Sequence, residues 1–190
     1  MKRIPLVISW VIMAFMVTAC TEENTTDTGI ATIDKMFQEL KASYKGGYVS
    51  TNNITRPINF TIDEQANVVV DNFPLDLVFA RLYPSDYSSI SGPVEPVGLT
   101  APIKGFNLNS PYIEFGTDID NTAPIEFTFT KDDEEHKGWA MIYAAGGYNP
   151  FAVALTIQFS VVDLVVDGQD MKSMTPIIYF VDNAVKVSSD

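Results

Sequence analysis

The spacing of apolar residues predicts an amphipathic helix in the first quarter of the chain. Apolar residues recur there at intervals of three and four, which places them on one helical face. They are Ile33, Met36, Phe37, Leu40 and Tyr44. The predicted helix covers residues 31–45, with Thr32 at the N-cap and Gly46 just beyond the last turn.

After Gly46 the apolar period changes to two residues, which is typical of strands that are buried on one face. Residues 57–71 fit a hairpin with its turn at 63–67. Residues 125–130 and 153–160 alternate regularly between apolar and polar side chains. The pattern therefore predicts a chain that is mainly β beyond its first helix.

Two segments depart from simple alternation. Residues 139–145 are apolar on both faces and indicate a covered central strand, preceded by a charged turn over 131–138. After Ser160 the inward set moves by one residue, so either the strand bulges near 160–162 or the chain passes into another sheet. A closing strand pair, or one long final strand, is expected over 175–187.

Residues 74–82 have helical spacing and predict a second, short helix with Pro74 in its first turn. Residues 83–105 are rich in proline and glycine. This segment is either a functional loop or contains an edge strand near residues 94–99, and we favour the strand. About eight strands and two helices predict a mainly β, α+β fold. The expected architecture is an antiparallel β-sandwich or a partly closed barrel with the N-terminal helix packed on it.

The N-terminus has the order of an export signal. Lys2 and Arg3 precede a short apolar stretch from Leu6 to Val17, which is interrupted only by Ser9. This stretch is shorter than the roughly 20 residues that a membrane-spanning helix needs. We therefore interpret residues 1–19 as a cleaved signal.

Cys20 directly follows this signal and is the only cysteine of the chain. Val17-Thr18-Ala19-Cys20 resembles the bacterial lipobox, which implies that Cys20 becomes the lipid-anchored first residue of the mature protein. An ordinary signal cleaved after Ala19, with Cys20 incidental, is the alternative. The predicted organisation is a tether over residues 20–30 and a single β-rich domain over 31–190.

The net charge of the chain limits the classes of partner that we expect it to bind. The chain has 12 basic and 24 acidic residues, a formal net charge of −12, and loss of Lys2 and Arg3 with the signal would lower the charge to −14. Nucleic-acid binding needs a basic surface, and so does a polybasic membrane patch, so the charge argues against both. An acidic surface favours solubility outside the cytoplasm, and a site for cations or basic peptides is the minor alternative.

Two acidic clusters are candidates for metal or acid–base chemistry. Asp132 to Glu135 precede His136, the only histidine, but consecutive side chains in a strand or turn point apart, which favours a solvated hairpin tip. Asp118 to Asn121 resemble the start of a calcium loop, but the expected glycine and distal glutamate are absent. A plain turn between strands is favoured there, as it is around Asp163, Asp167 and Asp170.

Several aromatic residues are candidate ligand contacts. Gly146 to Pro150 predict a loop in which Tyr148 could act as a lid, although a simple turn is favoured. Tyr83, Tyr87 and Trp139 could stack on sugars or lipids, or belong to the core.

Catalytic signatures are absent from the sequence. It contains no G-x-S-x-G elbow, no dinucleotide or phosphate loop and no Cys/His metal spacing. We therefore expect a protein that is not an enzyme and uses no cofactor or metal. A pair of carboxylates that meet in space for glycoside cleavage stays open, because the sequence does not show which acids converge.

The layout resembles small, uncharacterised lipoproteins of Bacteroides-type bacteria. Besides the lipobox, the points of likeness are the acidic residues after Cys20, the segment Tyr44-Lys45-Gly46-Gly47-Tyr48 and the segment Asn72-Phe73-Pro74-Leu75-Asp76-Leu77. In such lipoproteins, acids after the lipidated cysteine act as a surface-export signal; a solvated tether is the alternative for Glu22 and Glu23. The resemblance implies no known active site.

These observations predict an outer-membrane lipoprotein that faces the periplasm or the cell surface. The favoured hypothesis is a non-catalytic binding or accessory module for a small ligand, a glycan or a partner protein. A structural or assembly protein of the outer membrane is the second hypothesis, and a hydrolase is the third. The Cys20 lipid would be the contact with the membrane.

Overall fold

A computed structural model describes residues 26–51, 54–91, 97–109 and 112–187. The predicted signal, the lipobox and Cys20 lie outside these residues. Most of the described chain is antiparallel β structure with two α-helices, which confirms the predicted fold class. No helix in the described ranges is long and apolar enough to cross a membrane.

The helices are α1 (Thr26–Leu40) and α2 (Asp76–Leu82). The first six strands are β1 (Ala42–Thr51), β2 (Ile54–Ile62), β3 (Asn67–Val70), β4 (Ile90–Ser91), β5 (Leu99–Asn109) and β6 (Tyr112–Thr117). The others are β7 (Ile125–Lys131), β8 (Glu134–Asn149), β9 (Ala154–Val166), β10 (Gln169–Asp170) and β11 (Ile177–Val187).

Eight of these strands form a closed cycle of antiparallel pairings. The order is β9-β11-β1-β2-β3-β5-β6-β8, and β8 pairs with β9 again to complete the ring. Three strands lie outside the ring: β10 pairs with β9, β7 pairs with the first half of β8, and β4 pairs with β7. Every ring strand therefore has two neighbours, which leaves no long unpaired edge within the ring.

Helix α1 packs at the ring end where β1 begins. Phe37 contacts Phe106 of β5, with 6.2 Å between the ring centroids, and the Tyr44 hydroxyl donates to the Leu40 carbonyl at 2.5 Å. The predicted helix bounds were wrong at both ends, because α1 starts at Thr26 and stops at Leu40. Tyr44 is buried as expected, but in β1, where it pairs with Phe60 of β2.

Helix α2 closes the other side of the core and confirms the second predicted helix. Its Phe79 packs on Phe127 and Phe129 of β7 at centroid distances of 5.3 and 4.5 Å. At its start, Asp76 accepts a hydrogen bond from Arg56 of β2 at 2.6 Å. The buried phenylalanine thus holds the helix between the ring and the outer strand β7.

Aromatic side chains fill the centre of the ring. Phe159 of β9 makes edge-to-face contacts with Phe60 and Phe73 at centroid distances of 6.2 and 5.7 Å. Tyr44 stacks on Phe60 at 5.2 Å. Such aromatic contacts contribute about 0.5–1.5 kcal/mol each beyond the burial of area. The interior is therefore a packed core.

Two strands differ from the sequence prediction. β8 begins at Glu134 rather than near Trp139 and continues to Asn149, so the charged turn is reduced to Asp132 and Asp133. Both residues have positive φ, which matches the twist of a two-residue hairpin. Because residues 134–137 are mostly charged, the sequence predicted a turn there. They lie in β8 instead, since long charged side chains are tolerated on the solvent-exposed face of a strand.

The segment 83–105 contains a strand, although not where the sequence placed it. β5 begins at Leu99, while residues 94–96 of the predicted strand lie outside the described residues. Proline and glycine within β5 concealed it. Pro102 pairs only with the first residue of the short strand β3, where its missing N–H is tolerated.

The hairpin of β2 and β3 and the position of the slip in β9 were predicted correctly, but the shifted alternation would point Val162 inward, whereas Val162 is exposed and Val161 is buried. The turn at 63–66 is fixed by Asp63, whose carboxylate accepts hydrogen bonds from the backbone N–H groups of Gln65 and Asn67. Against β8, the register of β9 shifts so that Ile142 pairs with Val161 and the preceding Met141 pairs with Asp163. This extra residue, Val162, returns the apolar side chains of β9 to the core.

One polar atom of the core lacks a partner among the described residues. The Tyr179 hydroxyl is buried without a hydrogen bond, whereas the equally buried Tyr44 donates to Leu40. We expect Tyr179→Phe to stabilise the domain by about 1 kcal/mol and Tyr44→Phe to destabilise it by a similar amount. Urea denaturation measures both, and a destabilised Tyr179→Phe variant would show that the hydroxyl is satisfied.

Candidate functional site

Strands β5, β6 and β8 border a cavity of about 500 Å³, which we call the β5–β6–β8 groove. Its lining is mostly apolar and includes Phe106, Ile119 and Tyr143. Tyr143 lies between the buried residues Ile142 and Ala144. Because neighbouring side chains of a strand point to opposite faces, the groove lies on the outside of the ring.

Two glycines form the floor of the groove. Gly105 of β5 and Gly116 of β6 are cross-strand partners, so the sheet carries no side chain there. A Cβ at Gly105 would meet no atom within 4 Å, and one at Gly116 would lie 2.5 Å from the Tyr143 hydroxyl. The backbone at Gly105 is therefore open to a ligand, and the Tyr143 side chain crosses over Gly116 as a wall.

Thr117 fixes the end of β6 against β8 beside the floor. The ladder between these strands ends at the pair of Gly116 and Ala145. The buried Thr117 hydroxyl then accepts a hydrogen bond from the Ala144 N–H at 2.9 Å. This side-chain bond continues the attachment of β6 to β8 by one residue, which keeps the groove wall in place.

A short turn that begins at Asp118 places Ile119 at the groove. The Asp118 carboxylate accepts hydrogen bonds from the Asn121 amide at 2.9 Å and the Asp120 N–H at 3.2 Å. Lys104 lies 3.6 Å from the same carboxylate. The Asn121 hydrogen bond, with smaller contributions from the Asp120 N–H and Lys104, keeps the pKa of Asp118 below its usual range, although desolvation opposes it.

The same turn contains the residues that resemble the start of a calcium loop. Residues 118–121 join β6 to β7, and protein donors already occupy the Asp118 carboxylate. In the described part of the chain, no group of three or more His, Cys, Asp or Glu side chains is arranged to hold a metal ion. What this turn contributes to the groove is an apolar side chain.

The acidic cluster and His136 lie on a different part of the molecule. His136 is a strand residue whose Nδ1 lies 2.7 Å from the Asp167 carboxylate, and its ring stacks on Phe129 at 5.0 Å. The His136 hydrogen bond and the Lys137 N–H lower the pKa of Asp167. This pair ties β8 to the turn after β9. Sequence reasoning treated the two residues separately because no local signal links positions 136 and 167.

The other aromatic candidates do not line the groove. Gly146 to Asn149 belong to β8, so the turn favoured at 146–150 lies further along the chain, and Tyr148 is buried against Tyr44, which contradicts the alternative of a lid. Tyr83 packs beside Phe129, and the Tyr87 hydroxyl donates to Asp76 at 3.3 Å. Trp139 is half-buried.

Sequence reasoning did not identify Tyr143 or the two floor glycines. The apolar strand pattern of 139–145 marked Tyr143 as core, and Gly105 was assigned to a loop. The only signal was that glycine within a strand often marks the close approach of a ligand or another backbone. No family model, curated protein or solved structure matches the chain.

Proposed function

We propose that this protein is a non-catalytic binding module of the bacterial cell envelope that holds a small, mainly apolar molecule in the β5–β6–β8 groove. The observation that carries the proposal is the cavity of about 500 Å³ with an apolar lining. Pockets for small ligands typically have volumes of about 300–1,000 Å³, an apolar lining and few polar groups.

The shape of the groove favours a ligand with a flat face. The glycine floor exposes bare backbone, and Tyr143 and Ile119 border it with apolar surface. Lys104 is the only charged side chain among the lining residues. A flat apolar ligand would displace water from the floor and contact the Tyr143 ring, which gives the hydrophobic gain expected for buried apolar area.

The N-terminal sequence supports attachment of this module to the outer membrane. Residues 1–19 have the order of an export signal, and Cys20 occupies the lipobox position. The domain would then face the periplasm or the cell surface on a short tether. In this setting, the protein would capture a ligand close to the membrane and pass it to a partner in the envelope.

A specific observation also supports a structural or assembly role as the second candidate. Ile178 and Phe180 are exposed on the outer face of β11, with 58% of Phe180 accessible to solvent. Exposed apolar groups of this kind mark protein contacts when they are contiguous. This alternative predicts stable protein complexes after crosslinking in cells, and no small-molecule ligand.

The binding proposal is tested by filling the groove. The mature chain without its lipid is screened by thermal shift against fatty acids, bile acids, haem and glycans. A ligand at 100 times its dissociation constant stabilises by about 2.7 kcal/mol, which is roughly 5–11 °C for a domain of this size. We expect Gly105→Leu to abolish that shift, because a Cβ there meets no atom within 4 Å and the added side chain therefore has room to enter the groove and fill it.

Gly98→Leu is the matched control. Gly98 directly precedes β5, and a Cβ there makes only ordinary contacts, the nearest being the Val70 carbonyl oxygen at 3.6 Å. This variant should keep the full ligand shift, and both variants should fold as stably as the parent. A ligand that stabilises Gly105→Leu as strongly as the parent would show that it binds elsewhere, and no shift with any class would favour the assembly role.

A further inference from the structure

Exposed apolar side chains cluster at the ring end that carries the turn between β8 and β9. Phe151, in this turn, is 86% exposed, and Val153 is 44% exposed. Val185 and Val187 at the end of β11 are also exposed, and the Lys186 N–H donates to the Val153 carbonyl at 3.2 Å. These four residues, Phe151, Val153, Val185 and Val187, form what we call the apolar end.

The chain enters the ring at the same end. α1 stops at Leu40, and Lys186 Nζ donates to the carbonyl of the preceding Glu39 at 2.7 Å. Lys45 of β1 is the cross-strand partner of Val185. The proposed lipid on Cys20 is separated from the start of α1 at Thr26 by six residue steps, or at most roughly 22 Å. Helix α1, from Thr26 to Leu40, therefore connects the proposed anchor to the apolar end.

A cluster of acidic residues lies at the opposite end. β8 runs through 16 residues from Glu134 to Asn149, on the order of 50 Å if fully extended. The acidic residues Asp132 to Glu135 lie at its start, and Phe151 lies two residues beyond its last residue, Asn149. Asp167, in the turn after β9, also lies at the acidic end, because it binds His136 near the start of β8.

We infer that the apolar end rests in the interfacial layer of the bilayer that holds the Cys20 lipid, with the acidic end directed away from it. This inference rests on the lipid anchor in the proposed function. Once the anchor holds the domain at the surface, Phe151 and the valines gain free energy by leaving water for the acyl boundary. Lys45, which is exposed beside Val185 at the apolar end, is placed to meet anionic headgroups.

The occupant of this surface is therefore a phospholipid surface rather than a protein. The domain would be held at two points, the covalent lipid and the apolar end, and so in a defined orientation. The covalent lipid keeps the domain at a high effective concentration at the surface, so the apolar end needs only a modest affinity of its own to make the second contact.

Fluorescence quenching by brominated lipid tests the orientation. The full chain is expressed with its signal, purified in its lipidated form and reconstituted into vesicles of phosphatidylethanolamine and phosphatidylglycerol, with and without brominated acyl chains. Phe151→Trp introduces a reporter at the apolar end. Phe180→Trp is the matched control, because Phe180 is also an exposed phenylalanine but lies towards the middle of β11. Trp139 supplies the background that is subtracted from both.

We expect the added fluorescence of Phe151→Trp to be strongly quenched by the brominated lipid and that of Phe180→Trp to be nearly unchanged. Equal quenching of the two, or an unquenched Phe151→Trp, would overturn the inference. Mass spectrometry of the same preparation separates this failure from that of the proposed function. A purified chain without acyl groups on Cys20 would overturn the anchor and the orientation together, whereas an acylated chain with an unquenched reporter would overturn only the orientation.

Discussion

Phe159→Ala is expected to destabilise the domain by about 3–5 kcal/mol, the largest effect of any substitution considered for the core. Phe159 is fully buried at the centre of the ring, where it contacts Phe60 and Phe73. Truncation removes both contacts and leaves a cavity that strands paired on both sides cannot collapse to fill. Domains are typically stable by about 5–15 kcal/mol, so a substantial fraction of that stability would be lost.

Phe151→Ala is the matched control, since the same truncation there removes a side chain that is 86% exposed. We expect a change within about 0.5 kcal/mol, as for most surface substitutions. Urea denaturation of the unlipidated chain gives both free energies of unfolding. Similar losses in the two variants would show that Phe151 is packed in solution, which would also contradict its placement at the apolar end.

Gly138→Ala is expected to cost about 1–3 kcal/mol through overpacking. A Cβ at Gly138 would lie 2.4 Å from the Val165 carbonyl oxygen and 2.8 Å from the Phe127 ring. β8 pairs with β7 on one side and with β9 on the other at this point, so neither neighbour can move without breaking its own ladder. Because the nearest atom belongs to the Val165 backbone, it cannot move aside as a flexible side chain could, so a methyl group at Gly138 is poorly tolerated.

Gly147→Ala in the same strand provides the comparison. A Cβ at Gly147 would come no closer than 4.0 Å to another residue, the Tyr112 ring, so the added methyl fits. Removal of a strand glycine also lowers the entropy of the unfolded chain, which makes this variant neutral or slightly more stable. Chemical denaturation measures both variants, and a Gly138→Ala variant as stable as Gly147→Ala would disprove the steric account.

Patterns that depend on near neighbours could be predicted from the sequence. The hairpin at 57–71 was recognised because its turn residues and its alternation are local, and the bulge in β9 because a one-residue slip would otherwise expose Leu164 and Val166. The sequence predicted the central part of helix α1 but not the residues at which it begins and ends. Tyr44 satisfied both the helical spacing and the burial of a strand residue, and only tertiary pairing with Phe60 decided between them.

The candidate site was beyond sequence reasoning because its members come from separate strands. Gly105 and Gly116 form a floor only when β5 and β6 pair in this register, and Tyr143 becomes a wall only because β8 lies beside β6. The link between His136 and Asp167 likewise depends on the pairing of β8 with β9. No period or motif in a single sequence contains such information.

Closure of the ring has a consequence for the order of folding. β1 pairs with β11, so the first and last strands of the described chain must meet before the ring is complete. Contacts of such long sequence separation form late, because the entropy of loop closure must be overcome first. Under the proposed export, with the N-terminus first, β11 would be the last of the described strands to emerge. The ring would then stay open during translocation and close only after β11 had crossed.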